Sequence, residues 1–267
     1  MSDRPSMPTR SEPADALAAL ARAKLARLVA ECFVEPSPAA LQRLKQSAVR
    51  AEALEAAAAL NLPTKPIRSA LDAFRSIADW IDWHNRLFGH TVRAACPPYE
   101  IEYLHAEVFQ QSQTLADIAG FYAAFGFTVG GPFAERPDHF VTQWEFLSAL
   151  AMKESIAGEA GNAEGRACCR EAQAAFLAEH AARWMPAFFE RIRRTAPNGQ
   201  MTGPFTAIVD FADSLLQRWC DEFDVRLGPR WIELRPVTDD DEQITCGGGT
   251  ASVELGPTMA AAMAERD

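Results

Sequence analysis

The sequence predicts an all-α protein, a helical bundle of about nine or ten helices, on three observations. Alanine and leucine dominate the chain, whereas valine, isoleucine, threonine and tyrosine, which favour strands, are sparse. Apolar residues recur at spacings of three and four residues, which places them on one face of a helix. Prolines, glycines and helix-capping residues separate these segments, as is typical of helices joined by short turns.

The first predicted helix covers residues 14–34 and ends before the next proline. Its apolar stripe consists of Leu17, Leu20, Leu25, Leu28 and Cys32. Ser37 is a favourable N-cap and Pro38 is a favourable first helical residue, so a second helix is predicted from there to about residue 60. A third helix is predicted over residues 67–88, and Gly89 closes it.

Further helices are predicted over residues 99–110, 114–126, 137–157, 166–195 and 204–226. Pro186 should kink or split the helix 166–195, because a proline removes a helical hydrogen bond. The stretch 158–165 contains three glycines and is expected to form a flexible joint. At that joint the bundle would divide if it consists of two helical subdomains that share one core.

Three regions are expected along the chain. Residues 1–13 are polar and contain three prolines, which predicts a disordered tail. Residues 14–236 carry the helical periodicity and form one helical domain in this prediction. Residues 237–267 combine an acidic run with a run of glycines, so they are expected to form a second disordered tail.

Charge and cysteine usage narrow the classes of function. With a net charge of −10, the chain lacks the basic character that binding to nucleic acid needs. No apolar run reaches the roughly 20 residues that span a bilayer, so no stable membrane insertion is expected. The N-terminus has neither the apolar core nor the paired arginines of a secretory signal, so a cytoplasmic protein is expected. The six cysteines and five histidines show no metal-ligand spacing, so neither a metal nor a cofactor is expected.

The most specific pattern in the chain is Glu135-Arg136-Pro137-Asp138-His139-Phe140, followed by Trp144-Glu145-Phe146-Leu147. Pro137 suits the first turn of a helix, and Asp138 suits the positive end of the helix dipole. At 100° per residue, Phe140 falls on an aromatic stripe, while Asp138 and Glu145 project from the opposite side. The pattern therefore predicts a helix that is anchored by aromatic residues and exposes two carboxylates, with Glu135 as a third from the loop.

Each of these residues also has a purely structural interpretation. Asp138 equally suits a helix cap, His139 a packed side chain with one ring nitrogen hydrogen-bonded, and Glu145 an ordinary solvated position. Tyr99 and Tyr103 lie in the preceding run and either pack against the short helix or line a groove. From the residues alone, the segment is an acidic, aromatic-flanked surface on a helical bundle.

The run 135–147 resembles the signature of the TorD/DmsD/NarJ family, which is E-x-P-D-H-[IL], three residues, then [LW]-E-F-[ML]. This sequence has Phe140 at the aliphatic position and Leu147 where methionine is frequent, and both changes keep an apolar side chain. The runs 97–103 and 116–122 are similar to the branch of the family that serves respiratory reductases and hydrocarbon dehydrogenases. A later helix of that branch is similar to the part of this chain that contains His180, Arg183, Trp184 and Pro186.

Members of this family are chaperones of molybdopterin oxidoreductases, so the resemblance implies an all-helical cytoplasmic protein that is not an enzyme. Its partner, here called the client, would be the immature catalytic subunit of such an oxidoreductase. Binding would often involve the twin-arginine leader of the client and would last until the cofactor is inserted. The residues that the resemblance assigns to client or leader contact are Asp138 and His139, with Glu135, Pro137 and Glu145 beside them.

The chemistry of such a leader agrees with these residue types. Carboxylates suit the arginines at its basic end, because charge-assisted hydrogen bonds are the strong ones. Tyr99, Tyr103 and Phe140 are expected to line a groove for its apolar part.

The two alternative functions are a hydrolase or metal enzyme and a permanent accessory subunit. A hydrolase or metal enzyme would pair His139 with Asp138 or Glu145, yet adjacent helical residues point about 100° apart. The chain also lacks a glycine-rich phosphate loop and a nucleophile elbow. A permanent accessory subunit of an oxidoreductase complex would use an exposed helix face and would remain with the mature enzyme.

Overall fold

The computed structural model describes residues 12–89, 94–104, 108–130, 135–195 and 203–234. The described residues form α-helices and no strand, which confirms the all-α prediction. The helices are α1 Glu12–Phe33, α2 Pro38–Lys45, α3 Ser47–Ala59, α4 Thr64–Ala73, α5 Ile77–Phe88, α6 Val108–Ala124, α7 Phe140–Glu159, α8 Ala163–Phe176, α9 Ala182–Thr195 and α10 Gly203–Phe223. A short 3₁₀ helix occupies Glu100–Tyr103, and a π-helical turn occupies Leu177–Ala181 between α8 and α9.

Two of the predicted helices are each divided into two. The predicted helix from Pro38 is broken at Gln46, whose backbone is extended, with φ −64° and ψ 130°. The predicted helix 67–88 is broken before Ile77, because the hydroxyl oxygen of Ser76 accepts a hydrogen bond from the backbone N–H of Asp79 and caps α5. Neither break contains the proline or glycine that marks a helix end in sequence.

Helix α1 packs along α7, and the two helices run antiparallel. The Ser148 hydroxyl donates to the carbonyl oxygen of Ala23 over 2.8 Å, and Gly158 lies against Ala16. The predicted leucine stripe of α1 is only partly correct, because Leu17 is 62% exposed. Completely buried alanines supply much of the contact face instead, namely Ala19, Ala23, Ala26 and Ala30. Such small side chains let the two helix backbones approach closely.

Pro186 lies inside α9, and the chain compensates for the hydrogen bond that it removes. The carbonyl oxygen of Ala182, four residues earlier, accepts a hydrogen bond of 2.8 Å from the backbone N–H of Gly228. A Cβ atom on Gly228 would collide with the carbonyl oxygen of Arg183, so this close approach requires glycine. The predicted helix 166–195 is interrupted by the π turn that directly precedes α9, while the helix continues through Pro186 itself.

The expected flexible joint is a short turn, residues 160–162, between α7 and α8, which pack against each other. The described residues all belong to one compact unit. Helix α1 begins at Glu12, slightly before the predicted start of the helical domain. The rest of the predicted N-terminal tail and all of residues 237–267 lie outside the described residues. Among the helices of the described ranges, none combines the length and apolarity that a membrane span requires.

Candidate functional site

Backbone hydrogen bonds of Asp138 and Phe140 hold the end of the signature run against residues 97–101. The N–H of Phe140 donates to the carbonyl oxygen of Pro98 over 2.8 Å, and the N–H of Glu100 donates to the carbonyl oxygen of Asp138 over 3.1 Å. Between these bonds, Tyr99 and His139 form an isolated antiparallel bridge. From another side, the Tyr122 hydroxyl donates to the carbonyl oxygen of Pro137 over 2.7 Å. The segment that carries the signature is therefore fixed to the bundle through its own backbone.

Helix α7 begins at Phe140, so the prediction that Pro137 opens it is wrong. His139 is the N-cap, and its ring nitrogen Nδ1 accepts a hydrogen bond of 3.2 Å from the N–H of Val141. Residues 136–139 form a turn in which the N–H of His139 donates to the carbonyl oxygen of Arg136. This turn pairs with residues 97–101, a long-range contact that local spacing does not reveal.

Asp138 is completely buried, so it does not project to solvent as predicted. Its carboxylate accepts two hydrogen bonds from the Arg136 guanidinium, of 3.0 and 2.9 Å, and one of 3.3 Å from the N–H of Ile101. Burial raises the pKa of Asp138, while the charge and hydrogen bonds of Arg136 act in the opposite direction. Because its oxygens already have partners, Asp138 positions the segment and does not offer a free carboxylate to an arginine of another chain.

His139 is also buried, with 8% of its surface exposed. Its ring packs edge-on against Tyr99 at a centroid distance of 5.1 Å. Burial lowers the pKa of His139 to about 3, and the nearby charges of His84 and Arg136 act in the same direction. The imidazole is therefore neutral near pH 7, which is the form that accepts the capping hydrogen bond.

We expect the stability of the protein to depend on the protonation of His139. In the unfolded chain this histidine titrates near pH 6.5, but in the folded protein it stays neutral down to about pH 3. The unfolded state therefore binds more protons, and stability is lost as the pH falls through this window, at up to about 1.4 kcal/mol per pH unit. His139→Asn keeps a capping oxygen but removes the titration. Urea unfolding of both proteins at pH 6 and pH 5 measures the difference, and parallel losses would contradict the assignment.

Phe140 and Tyr103 are core residues, so the prediction that they line a groove is wrong. The Phe140 ring contacts Phe33 and Phe188, at centroid distances of 4.6 and 4.8 Å. The Tyr103 ring lies 5.2 Å from that of Trp184 and is 1% exposed. Both rings support the signature segment from the core side. A sequence pattern of aromatic residues does not show whether these residues pack in the core or line a binding surface.

Two residues of the signature segment, Glu135 and Arg136, form an outer face together with one side of the ring of Tyr99 from the paired run. The Arg136 guanidinium lies 4.4 Å from the centroid of the Tyr99 ring, and the Tyr99 hydroxyl lies 3.5 Å from a carboxylate oxygen of Glu135. Burial, with the charge of Glu135, raises the pKa of Tyr99 to about 12. Glu145 is 31% exposed and lies 3.3 Å from Arg27 of α1. Of the three predicted carboxylates, Glu135 is the one in the described residues that stands open to solvent.

A buried polar network lies behind this face, and sequence reasoning did not assign it. Glu100 is completely buried, and one of its carboxylate oxygens accepts a 2.5 Å hydrogen bond from the side-chain amide of Gln143. Its other oxygen lies 3.1 Å from Nδ1 of His180, which is on the π turn. The side-chain oxygen of Gln143 in turn accepts from the indole N–H of Trp184 over 3.0 Å. We call these four residues the Glu100 network. Glu100, His180 and Trp184 lie in the runs that resemble the family. This resemblance was the sequence signal that could have pointed to the network.

No group of three or more histidine, cysteine, aspartate or glutamate side chains is arranged to hold a metal ion within the described ranges. Asp138 and His139 do not pair with each other as a catalytic couple would, because Asp138 bonds to Arg136 and Ile101 while His139 caps α7. The described geometry is that of a fixed surface segment with a buried polar support.

Comparisons with known proteins agree with the sequence signature. The family model described as nitrate reductase delta subunit matches residues 48–190, more than half of the chain. The chlorate reductase assembly chaperone protein of Ideonella dechloratans is 34% identical over 91 residues. The selenate reductase assembly chaperone protein of Thauera selenatis is 35% identical over 91 residues.

Each alignment covers 34% of this chain and 46% of the relative, so the chain matches about half the length of each of these curated proteins. The region that the family model matches contains both the signature segment and the Glu100 network. The chain therefore belongs to the nitrate reductase delta subunit family, the TorD/NarJ family that its signature resembles.

Proposed function

We propose that this protein is an assembly chaperone that binds the immature catalytic subunit of a molybdopterin oxidoreductase and performs no chemistry on it. The observation that carries the proposal is the family match over residues 48–190, which includes the whole signature segment. The names of the two relatives, assembly chaperones of chlorate and selenate reductases, support the same class of client. In this proposal the protein meets its client in the cytoplasm, before cofactor insertion and export.

The geometry of the signature segment supports a binding role. Its outer face combines the open carboxylate of Glu135 with the half-buried ring of Tyr99, whose backbone pairs with His139. A fixed surface loses little conformational freedom when it binds a partner, so more of the contact energy remains for affinity. We assign client contact to Glu135, Tyr99 and the exposed part of Pro137. In the same assignment Asp138, His139, Phe140, Tyr103 and Glu145 position this face from within.

The decisive experiment titrates the protein with purified catalytic subunits of molybdopterin oxidoreductases by calorimetry. Each subunit is used in the apo and cofactor-loaded forms, with and without its leader. A chaperone binds the apo form and releases the loaded form, whereas a permanent accessory subunit stays with both. Loss of binding on removal of the leader would assign the contact to the twin-arginine peptide. Absence of binding to every apo subunit would overturn the proposed function.

We expect Glu135→Gln to weaken binding of the apo client about tenfold, because it removes one charge-assisted contact with an arginine. Tyr99→Phe, which removes only the hydroxyl near Glu135, should have a smaller effect. Glu159→Gln changes an exposed carboxylate at the other end of α7 and serves as the matched control. If Glu135→Gln binds as tightly as the control, Glu135 makes no contact with the client.

A further inference from the structure

A cavity that shares no lining residue with the signature segment lies where the end of the described chain meets α9. Residues 225–234 come after α10 and contain no helix, and we call them the strap. The strap forms one side of the cavity, and Arg183 of α9 and Leu104 beside the 3₁₀ helix line it from the bundle. Its volume of about 540 Å³ is within the range of small-molecule sites.

The strap is fixed to α9 on both sides of this cavity. The backbone N–H of Gly228 donates to the carbonyl oxygen of Ala182 over 2.8 Å. Further along, the Arg191 guanidinium donates to the carbonyl oxygen of Ile232 over 2.9 Å. The cavity is therefore formed before any ligand arrives, so binding does not have to order the strap.

Two arginines, Arg183 and Arg226, line the cavity and are exposed. Within the described part of the chain, neither lies in a salt bridge, whereas Arg230 of the strap pairs with Asp213. The Arg183 guanidinium donates through Nη1 to the carbonyl oxygen of Glu179 over 3.2 Å, which leaves its other N–H groups for a ligand. The cavity thus carries two positive charges without a carboxylate partner, in a protein whose net charge is −10.

The rest of the lining is largely apolar and consists of Leu104, Leu227, Pro229 and Ile232, with the backbone of Gly228. Three of these side chains are half-buried and Pro229 is exposed, so each keeps accessible apolar surface. Small-molecule sites typically combine such apolar walls with a few polar groups that fix the orientation of the ligand. The cavity therefore suits a molecule with an anionic end and an apolar body.

Guanidinium groups restrict the chemistry of that anionic end. Each presents parallel N–H donors whose spacing matches the oxygens of a carboxylate or a phosphate. Because Arg183 and Arg226 come from different elements, they can contact different oxygens of one oxyanion. An acidic polypeptide is a poorer occupant, since the net charge of −10 repels it and its polar backbone does not match the apolar wall.

We propose that the cavity between α9 and the strap binds a small organic anion, a phosphate monoester or a carboxylate carried on an apolar body. Arg183 and Arg226 bind the oxyanion, and the apolar wall contacts the body. This site is independent of the proposed function, because no contact with the client enters the argument.

The first test titrates the full chain by calorimetry with three ligands that share a naphthalene ring, namely 2-naphthyl phosphate, 2-naphthoate and 2-naphthalenemethanol. Near pH 7 the first two are anions and the third is neutral. We expect each anion to bind at one site and at least about tenfold more tightly than the alcohol. The tighter of the two anions identifies the oxyanion that the site prefers. Equal affinity for all three ligands, or binding of none, would overturn the proposal.

Arg183→Gln combined with Arg226→Gln removes both guanidinium groups and should weaken binding of the tighter anion by at least about tenfold. Both side chains are exposed, so the urea midpoint should stay unchanged. The matched control combines Arg68→Gln with Arg75→Gln, two exposed arginines outside the cavity that also lack a salt bridge in the described ranges. If variant and control bind the anion equally well, the cavity is not its site.

Leu227→Ala tests the apolar wall. It should weaken binding of 2-naphthyl phosphate about fivefold, because it removes apolar surface that contacts the ring. Inorganic phosphate has no apolar part, so its affinity for the same variant should not change. An equal loss for both ligands, or a loss for neither, would contradict the contact between the wall and the apolar body.

A peptide of four aspartates tests the competing occupant. We expect it to bind more weakly than either naphthalene anion, because it offers charge without an apolar body. Tighter binding of this peptide, lost in the combined Arg183→Gln and Arg226→Gln variant, would assign the cavity to an acidic polypeptide and overturn the proposal.

Discussion

We expect Arg22→Met to lower the free energy of unfolding by about 3–5 kcal/mol, because it breaks a buried ion network. Arg22 is 1% exposed and lies 2.7 Å from both Glu154 and Glu222. Glu154 is completely buried and also accepts hydrogen bonds from Arg170 and Gln173. Removal of the arginine leaves the charge of Glu154 in the interior with its main partner gone. Urea unfolding followed by circular dichroism measures the loss.

Arg27→Met on the same helix is the control for this prediction. Arg27 is 56% exposed and pairs with Glu31 and Glu145 near the surface, so its replacement should cost less than about 1 kcal/mol. Equal losses for Arg22→Met and Arg27→Met would mean that the buried network contributes no more than a surface pair.

Glu100→Ala should lower the free energy of unfolding by roughly 2–5 kcal/mol. The substitution leaves the side-chain amide of Gln143 without its acceptor and His180 without its partner, and both are buried. It should also weaken binding of the apo client, because Glu100 is the residue next to Tyr99 and its backbone N–H donates to Asp138 in the pairing with residues 138–140. Unfolding and client titration on the same preparation measure the two effects.

Glu100→Gln separates loss of hydrogen bonds from loss of charge. The introduced amide oxygen can accept from Gln143, while its N–H₂ group can donate to Nδ1 of His180 in the tautomer whose proton is on Nε2. We therefore expect Glu100→Gln to be clearly more stable than Glu100→Ala. If the two variants are equally unstable, the negative charge is what the network requires.

The two buried networks share one arrangement. In each, a tryptophan N–H donates to a glutamine oxygen, which turns the glutamine amide N–H₂ towards a buried glutamate: Trp184, Gln143 and Glu100 in one, Trp219, Gln173 and Glu154 in the other. The glutamate then meets a basic side chain, His180 in the first network and Arg22 in the second. In each network the tryptophan fixes the orientation of the glutamine amide. Substitution of either glutamine therefore breaks its hydrogen bonds to both the tryptophan and the glutamate.

The sequence predicted the helices well because helical periodicity, caps and turns are local. Residues within four positions of one another decide whether a helix forms, and Ser37 and Pro38 start α2 as expected. The breaks at Gln46 and before Ile77 were missed, since no glycine or proline marks them. The family signature also was visible in the sequence, and the match over residues 48–190 confirms it.

The roles within the signature segment were decided by tertiary structure. A helical spacing rule placed Asp138 on an exposed face, but Arg136 and the N–H of Ile101, 37 residues earlier, hold it in the interior. Glu100 and His180 are 80 residues apart, and no spacing pattern links them. The sequence by itself determined which segments are helical and which family they belong to. Only the packed chain determined which polar groups are buried, because burial depends on contacts between residues distant in sequence.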